Sequence, residues 1–177
     1  MTKIIGLTGP AGCGKDTIAK FFVDICSYHR YALADPIKEV MNPLFGWDDR
    51  HGFGDLKERV DPIFGVSPRY VYQTFGTEYC RSFLGSDIWI KIATQRMGGY
   101  SHVVIPDIRF ENEADWVRKH GKLWHIKRDR IRGVNPHVSE NGVEFKPGDF
   151  VFENNMPLND LWPTLYMMDD YARAWSR

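Results

Sequence analysis

One segment constrains this chain more than any other: Gly9-Pro10-Ala11-Gly12-Cys13-Gly14-Lys15-Asp16-Thr17, set between a strand-like run ending at Thr8 and a helical run from Asp16 to Ser27. It fits the first seven positions of the pattern GxxxxGK[ST]. Glycines let a backbone wrap an anion without Cβ clashes, so that consecutive N–H groups and a helix N-terminus point at phosphate. Gly9, Ala11, Gly12, Cys13, Gly14, Lys15, Asp16 and Thr17 therefore form a candidate ATP-binding site in which Lys15 reaches the β- and γ-phosphates. Asp16 stands where a Ser or Thr hydroxyl normally contacts Mg²⁺, with Thr17 displaced by one residue. Two arrangements follow: Asp16 approaches Mg²⁺ as a carboxylate, directly or through water, or Thr17 replaces it from a shifted loop. Cys13 reads as a spectator thiol inside the loop.

The rest of the chain alternates strand-like and helix-like runs, which argues for an α/β fold with a mainly parallel sheet. Strands are expected at 4–8, 31–33, 102–105, 123–126 and 149–153. Helices are expected from Asp16 to Ser27, from Pro36 onward, from Pro68 to Phe83, from Ile88 to Met97, from Glu111 to Lys119 and from Leu158 onward. Gly121 reads as a glycine stop for the helix before it, and Pro163 blurs the start of the last helix. Residues 46–66 hold four glycines and one proline with little periodicity, and read as a surface excursion. Between Pro68 and Phe83 two rows separate: the aromatics Tyr72, Phe75, Tyr79 and Phe83, and the polar Arg69, Gln73, Thr77 and Arg81. A basic, irregular stretch then carries Arg128, Arg130 and Arg132, followed by Asn135-Pro136-His137 and Asn141-Gly142. It reads as a mobile loop.

Composition narrows the function classes. Twenty-three basic residues balance twenty-three acidic ones, so no general field draws the chain to nucleic acid or an anionic membrane, and phosphate affinity must be local. No apolar run approaches the roughly 18 residues of a membrane span, and the N-terminus shows no export signal. Cys13, Cys26 and Cys80 lack metal-type spacing and fit a reducing cytoplasm. The six histidines, His137 among them, show no zinc-type pairing. A guanine-reading [NT]KxD pattern is missing, since Ile126-Lys127-Arg128-Asp129 lacks the Asn or Thr, which sets the GTPase class aside.

In chain order, the segments Gly14-Lys15-Asp16-Thr17, Leu33-Ala34-Asp35-Pro36-Ile37-Lys38, Gln73-Thr74-Phe75-Gly76-Thr77-Glu78-Tyr79-Cys80-Arg81 and Asp87-Ile88-Trp89 carry a resemblance. Asp107-Ile108-Arg109-Phe110-Glu111-Asn112-Glu113-Ala114, His137-Val138-Ser139-Glu140 and Glu153-Asn154-Asn155 extend it over nearly the whole chain. Together they resemble the phage-type deoxynucleoside monophosphate kinases, within the wider group of nucleoside monophosphate and dephospho-coenzyme A kinases. The resemblance implies one P-loop kinase domain over 1–177, three-layered α/β/α with about five strands, a helical acceptor-binding region at about 35–100 and a mobile lid at about 128–148.

It also implies MgATP as phosphoryl donor, a deoxynucleoside monophosphate as acceptor, and the host cytoplasm as compartment. The acceptor side would comprise Asp35, Lys38, Arg69, Gln73, Thr77, Arg81 and Trp89, with Gly76 admitting the acceptor close to the helix backbone. Arginine suits a phosphate because its planar fork binds bidentately; the bland reading of that row is a solvated helix face. Trp89 stacks on a base or fills the core. Asp107, ending an apolar strand, would orient Mg²⁺ through water, while Arg109 contacts phosphate or pins Glu113. Lys15, Arg128 and Arg132 would stabilise the transferring phosphoryl group. Asn154 borders the adenine of ATP, or Asn154 and Asn155 cap the last helix. Two alternatives stand beside this reading: a dephospho-coenzyme A kinase using Asp35 as general base, and a non-catalytic nucleotide-binding module. The sequence leaves open whether the chain forms a homodimer.

Overall fold

The computed structural model describes residues 2–129 and 142–174, with 169–174 described by backbone alone. The chain divides into two compact units, Met1–Tyr31 with Gly99–Arg177, and Ala32–Gly98.

The first unit is built on a parallel sheet. Its strands are β1 (Lys3–Thr8), β2 (His29–Arg30), β3 (His102–Ile105), β4 (Gly121–Lys127) and β5 (Phe150–Glu153), in the order β2-β3-β1-β4-β5. Every pairing is parallel, with β1 between β3 and β4. Parallel strands covered on both faces carry near-continuous apolar runs, and β1 and β3 do so with Ile4, Ile5, Leu7, Val103, Val104 and Ile105, all buried. Helix α1 (Lys15–Asp24) sends Ile18 and Phe22 into a core shared with Leu7, Val104, Trp124, Phe152, Leu161 and Leu165. The last two come from the closing helix Leu158–Ala174. A helix spanning Glu111–His120 packs by Val117 and the neighbouring Ile108 so close to Gly6 that an added Cβ there would lie 2.8 Å from Val117.

Gly121 differs from its sequence reading. Its φ is 176°, ordinary extended backbone, so it is no left-handed helix stop. It opens β4 opposite Ile4, whose carbonyl oxygen would sit 1.8 Å from a Cβ, and close approach explains the glycine.

The second unit is helical: α2 (Asp35–Phe45), α3 (Asp49–Gly52), α4 (Pro68–Gln73), a π-helical stretch (Thr74–Arg81) and α5 (Ile88–Arg96). With those labels, the helix Glu111–His120 is α6 and the closing helix α7. The expected excursion at 46–66 is only partly one. Trp47 is buried, stacks on Phe45 at 4.4 Å and donates its indole N–H to Asp61 at 2.8 Å. Asp61 also accepts from the N–H groups of Ile63 and Phe64, which ties the irregular segment down.

The helix after Pro68 departs further. The i→i+5 bonding of a π-helix widens the turn past the usual ~3.6 residues, so side chains four apart align and those three apart drift off. The buried line is Pro68, Tyr72, Gly76 and Cys80. Of the expected aromatic row only Tyr72 is core; Tyr79 and Phe83 are 53% and 75% exposed, with Tyr79 stacked on Phe75 and tilted against Phe83. Burial pushes the Tyr72 hydroxyl up to about 12 and raises the Cys80 thiol.

Candidate active site

The phosphate-binding loop leaves β1 at Thr8 and enters α1 at Lys15 through three glycines in the left-handed region: Gly9 (φ 138°), Gly12 (φ 79°) and Gly14 (φ 101°). Two are doubly required. A Cβ on Gly9 would lie 2.3 Å from the Ile126 carbonyl oxygen, and one on Gly14 would lie 2.2 Å from Asn154 Nδ2. Gly14 is the N-cap residue of α1, so the N–H groups of the first helical turn open toward the loop. Lys15 Nζ folds back across it, donating to the carbonyls of Gly9 at 2.6 Å and Pro10 at 2.8 Å. Cys13 is fully buried, with its Sγ 3.8 Å from Lys15 Nζ. Asp16 is exposed and Thr17 half-buried in the same turn.

The carboxyl ends of parallel strands are where such sheets bind ligands, and three further segments arrive at that edge. After β3 the chain stays bound to β1 despite Pro106, because the N–H of Ile108 donates to the Leu7 carbonyl at 3.1 Å. Asp107 is thereby held half-buried beside the end of β1. At the start of α6 the buried Glu113 carboxylate accepts from the backbone N–H groups of Arg109 at 2.9 Å and Phe110 at 3.1 Å. Arg109 therefore meets Glu113 through its backbone. Arg128, just past β4, is exposed.

Asn154 follows β5. Its side chain is 5% exposed and donates to the Cys13 carbonyl oxygen at 2.8 Å, from beneath the loop. Asn155 accepts from the Asp129 N–H at 2.8 Å. No local pattern announces a contact between residues 141 positions apart.

Within the second unit, Arg69, Gln73, Thr77 and Arg81 form an unbroken half-buried row beside the buried line of the helix. They are more sheltered than Tyr79 and Phe83. Arg69 pairs with Glu58, and its N–H donates to the Lys57 carbonyl at 3.0 Å. Asp35 accepts from the Ala32 N–H at 3.3 Å, and Lys38 Nζ lies 3.6 Å from Asp35 and 3.6 Å from the Phe53 ring centre. Asp35, Lys38, Asn42, Trp47 and Phe53 line a cleft of about 420 Å³. Trp89 is buried and donates its indole N–H to the Gly76 carbonyl at 2.9 Å, which fits the core alternative of its sequence reading. Gly76 lies against Ile37, whose Cδ1 would lie 2.5 Å from an added Cβ.

Arg130, Arg132 and His137 lie outside the described residues. The part of the expected lid that is described, from 142 on, is fastened to the sheet unit by a charged network. Asp149, its side chain 1% exposed, accepts from Arg118 Nε at 2.9 Å, Arg118 Nη2 at 2.7 Å and the Lys146 N–H at 2.9 Å, and bonds His125 Nε2 at 2.9 Å. Burial alone would raise the Asp149 carboxyl, but Arg118, Lys146 and His125 outweigh it and hold it at about 2. Arg118 is pushed above its usual range by the same pairing. Sequence reading passed over this cluster, since its members lie 24 and 31 residues apart.

Among the described residues no three His, Cys, Asp or Glu side chains gather as a metal site, and no helix is long and apolar enough to cross a membrane.

The parallel sheet with a glycine-cradled loop after its central strand defines the P-loop nucleoside-triphosphatase fold class. Solved structures agree at the level of fold: a Thermus thermophilus protein, TT1252, is 16% identical with a TM-score of 0.52 over 96% of this chain and 97% of that one. A gluconokinase from Sinorhizobium meliloti is 10% identical, with a TM-score of 0.50 over 99% and 95%. Within that class the chain belongs to the deoxynucleotide monophosphate kinase family, whose model matches residues 53–165. Its relatives include a putative deoxynucleotide monophosphate kinase of Acanthamoeba polyphaga mimivirus, 29% identical over 96% of this chain and 97% of that protein. The deoxynucleotide monophosphate kinase of Enterobacteria phage T4 is 26% identical over 90% and 95%. The chain is thus an ATP-using phosphotransferase acting on nucleoside monophosphates, which sets aside the dephospho-coenzyme A kinase and the non-catalytic module.

Proposed function

We propose that the protein transfers the γ-phosphoryl group of MgATP to a phosphate oxygen of a deoxynucleoside monophosphate, giving a deoxynucleoside diphosphate and ADP. The observation that carries the reading is the loop Gly9 to Lys15, whose glycines are required by both backbone angle and close neighbours and whose lysine lies across it. Its amides would hold the β- and γ-phosphates, and Lys15 would move from the loop carbonyls onto the transferring group. The acceptor oxygen attacks in line, so no protein nucleophile is needed.

Mg²⁺, when bound, neutralises charge on the phosphate oxygens. The donors present suit a hard cation held largely by its substrate: the exposed Asp16 or the adjacent Thr17, with Asp107 acting through water. Arg69, Gln73, Thr77 and Arg81 would bind the acceptor, the arginines by its phosphate and the other two by base or sugar, with Asp35 and Lys38 at the neighbouring cleft. Arg69 would exchange Glu58 for that phosphate. Arg128, and Arg132 beyond the described residues, would add charge around the equatorial oxygens. Asn154 supports ATP binding from beneath the loop.

The test is ADP release from MgATP with dAMP, dGMP, dCMP, dTMP, their ribose counterparts and dephospho-coenzyme A offered separately. Turnover with one or more deoxynucleotides is expected. Turnover with dephospho-coenzyme A alone, or with no acceptor at all, would overturn the proposal.

A further inference from the structure

The peptide joining Cys13 to Gly14 is held at its carbonyl side. Its carbonyl oxygen accepts from Asn154 Nδ2 at 2.8 Å, and Asn154 is buried below the loop. The position of that amide is set by the sheet: the Asn154 N–H donates to the Lys127 carbonyl at 2.7 Å, carrying the β4–β5 ladder one residue past Glu153. In a trans peptide the C=O and the N–H point to opposite edges of one plane. Drawing the Cys13 oxygen down onto Asn154 therefore turns the Gly14 N–H up, to the side where an anion enters the loop. The absence of a side chain on Gly14 serves the same contact, since a Cβ there would occupy the place of Asn154 Nδ2. Cys13 itself, buried with its N–H donating to the Pro10 carbonyl at 3.3 Å, has no freedom to turn the plane alone.

We propose that Asn154 is a positioning residue for phosphate binding: it touches no substrate, and acts by fixing the Cys13–Gly14 peptide so that the Gly14 N–H faces the phosphates of ATP. This rests on the reading of Gly9 to Lys15 as the ATP cradle. A side chain that bordered adenine would affect only ligands that carry the base, whereas a peptide clamp affects any ligand that carries the phosphates.

The experiment uses the full chain and two variants, Asn154→Asp, which replaces the donor by an acceptor facing the Cys13 oxygen, and Asn154→Ala, which removes the donor. Dissociation constants for MgATP and for magnesium tripolyphosphate are measured by calorimetry, with the KM for the best deoxynucleoside monophosphate and a melting curve alongside. Both variants should weaken MgATP and tripolyphosphate alike, by about tenfold as for loss of one buried hydrogen bond, while the KM for the monophosphate stays within about twofold. Weakening confined to MgATP would overturn the clamp in favour of an adenine contact. A lowered melting temperature with both affinities intact would overturn it in favour of a purely structural bond. Asn154→Ala keeps the test open if the aspartate variant does not fold. Failure of the unaltered chain to bind either ligand would overturn the cradle, and the clamp with it.

Discussion

Gly14 and Gly76 are both small residues at helical positions of a kinase, and they are small for different reasons. Gly14 sits at φ 101°, a conformation that L side chains rarely adopt, so its identity follows from the local backbone as well as from its neighbour Asn154. Gly76 lies inside the π-helical stretch with no positive φ, and what forbids a side chain is Ile37, thirty-nine positions earlier in the chain. A conformational requirement repeats wherever the same turn is made, and leaves a pattern. A packing requirement depends on one partner and leaves none.

The largest expected effect tests the patterned side. Lys15→Ala should lower turnover by about 10²–10³-fold, as for other losses of a charge-stabilising donor, with the melting temperature unchanged; a variant retaining most of its turnover would break the assignment of chemistry to the loop. Asp149→Asn tests the packed side. Removing the carboxylate leaves Arg118 and His125 without their shared partner, and a loss of about 3 kcal/mol in unfolding free energy is expected, read by denaturant titration. The pH dependence follows the same sign. Because the folded carboxyl is held at about 2, below its ordinary 3.8, its contribution is complete above pH 3.8 and fades as pH falls toward 2. The unaltered protein should lose more stability over that window than Asp149→Asn does.

Gly76→Ala comes next, costing about 1–3 kcal/mol by overpacking against Ile37. Adding Ile37→Val, which removes the clashing methyl, should restore most of it; a double variant no better than the single one would mean that backbone angle, not packing, sets this glycine. Smallest is Phe83→Ser. At 75% exposure this aromatic should be replaceable within about 0.5 kcal/mol, and a large drop in melting temperature would mean that it is packed rather than exposed.

The fold class was legible because its signals are local. Apolar runs in β1 and β3 reflect strands covered on both faces, and the glycines at 9, 12 and 14 reflect backbone angles that few other residues accept. Lys15, Asp16 and Asp107 could be nominated from the sequence for the same reason, each lying at a fixed offset from a strand end. The polar row at 69, 73, 77 and 81 survived because a spacing of four holds on both an α-helix and the wider π-helix. The aromatic row, at mixed spacings of three and four, did not.

By itself, then, the sequence determined the glycine loop, the parallel α/β plan and the segments that carry the family resemblance, since these depend on neighbours a few residues away. Tertiary structure alone decided that Trp89 is core, that Gly76 and Gly121 are small for a distant neighbour, that Asn154 holds the loop from below, and that Asp149 gathers Arg118 and His125. Each of those roles is defined by a contact between residues far apart in the chain, and the energy of such a contact appears only once folding has brought them together.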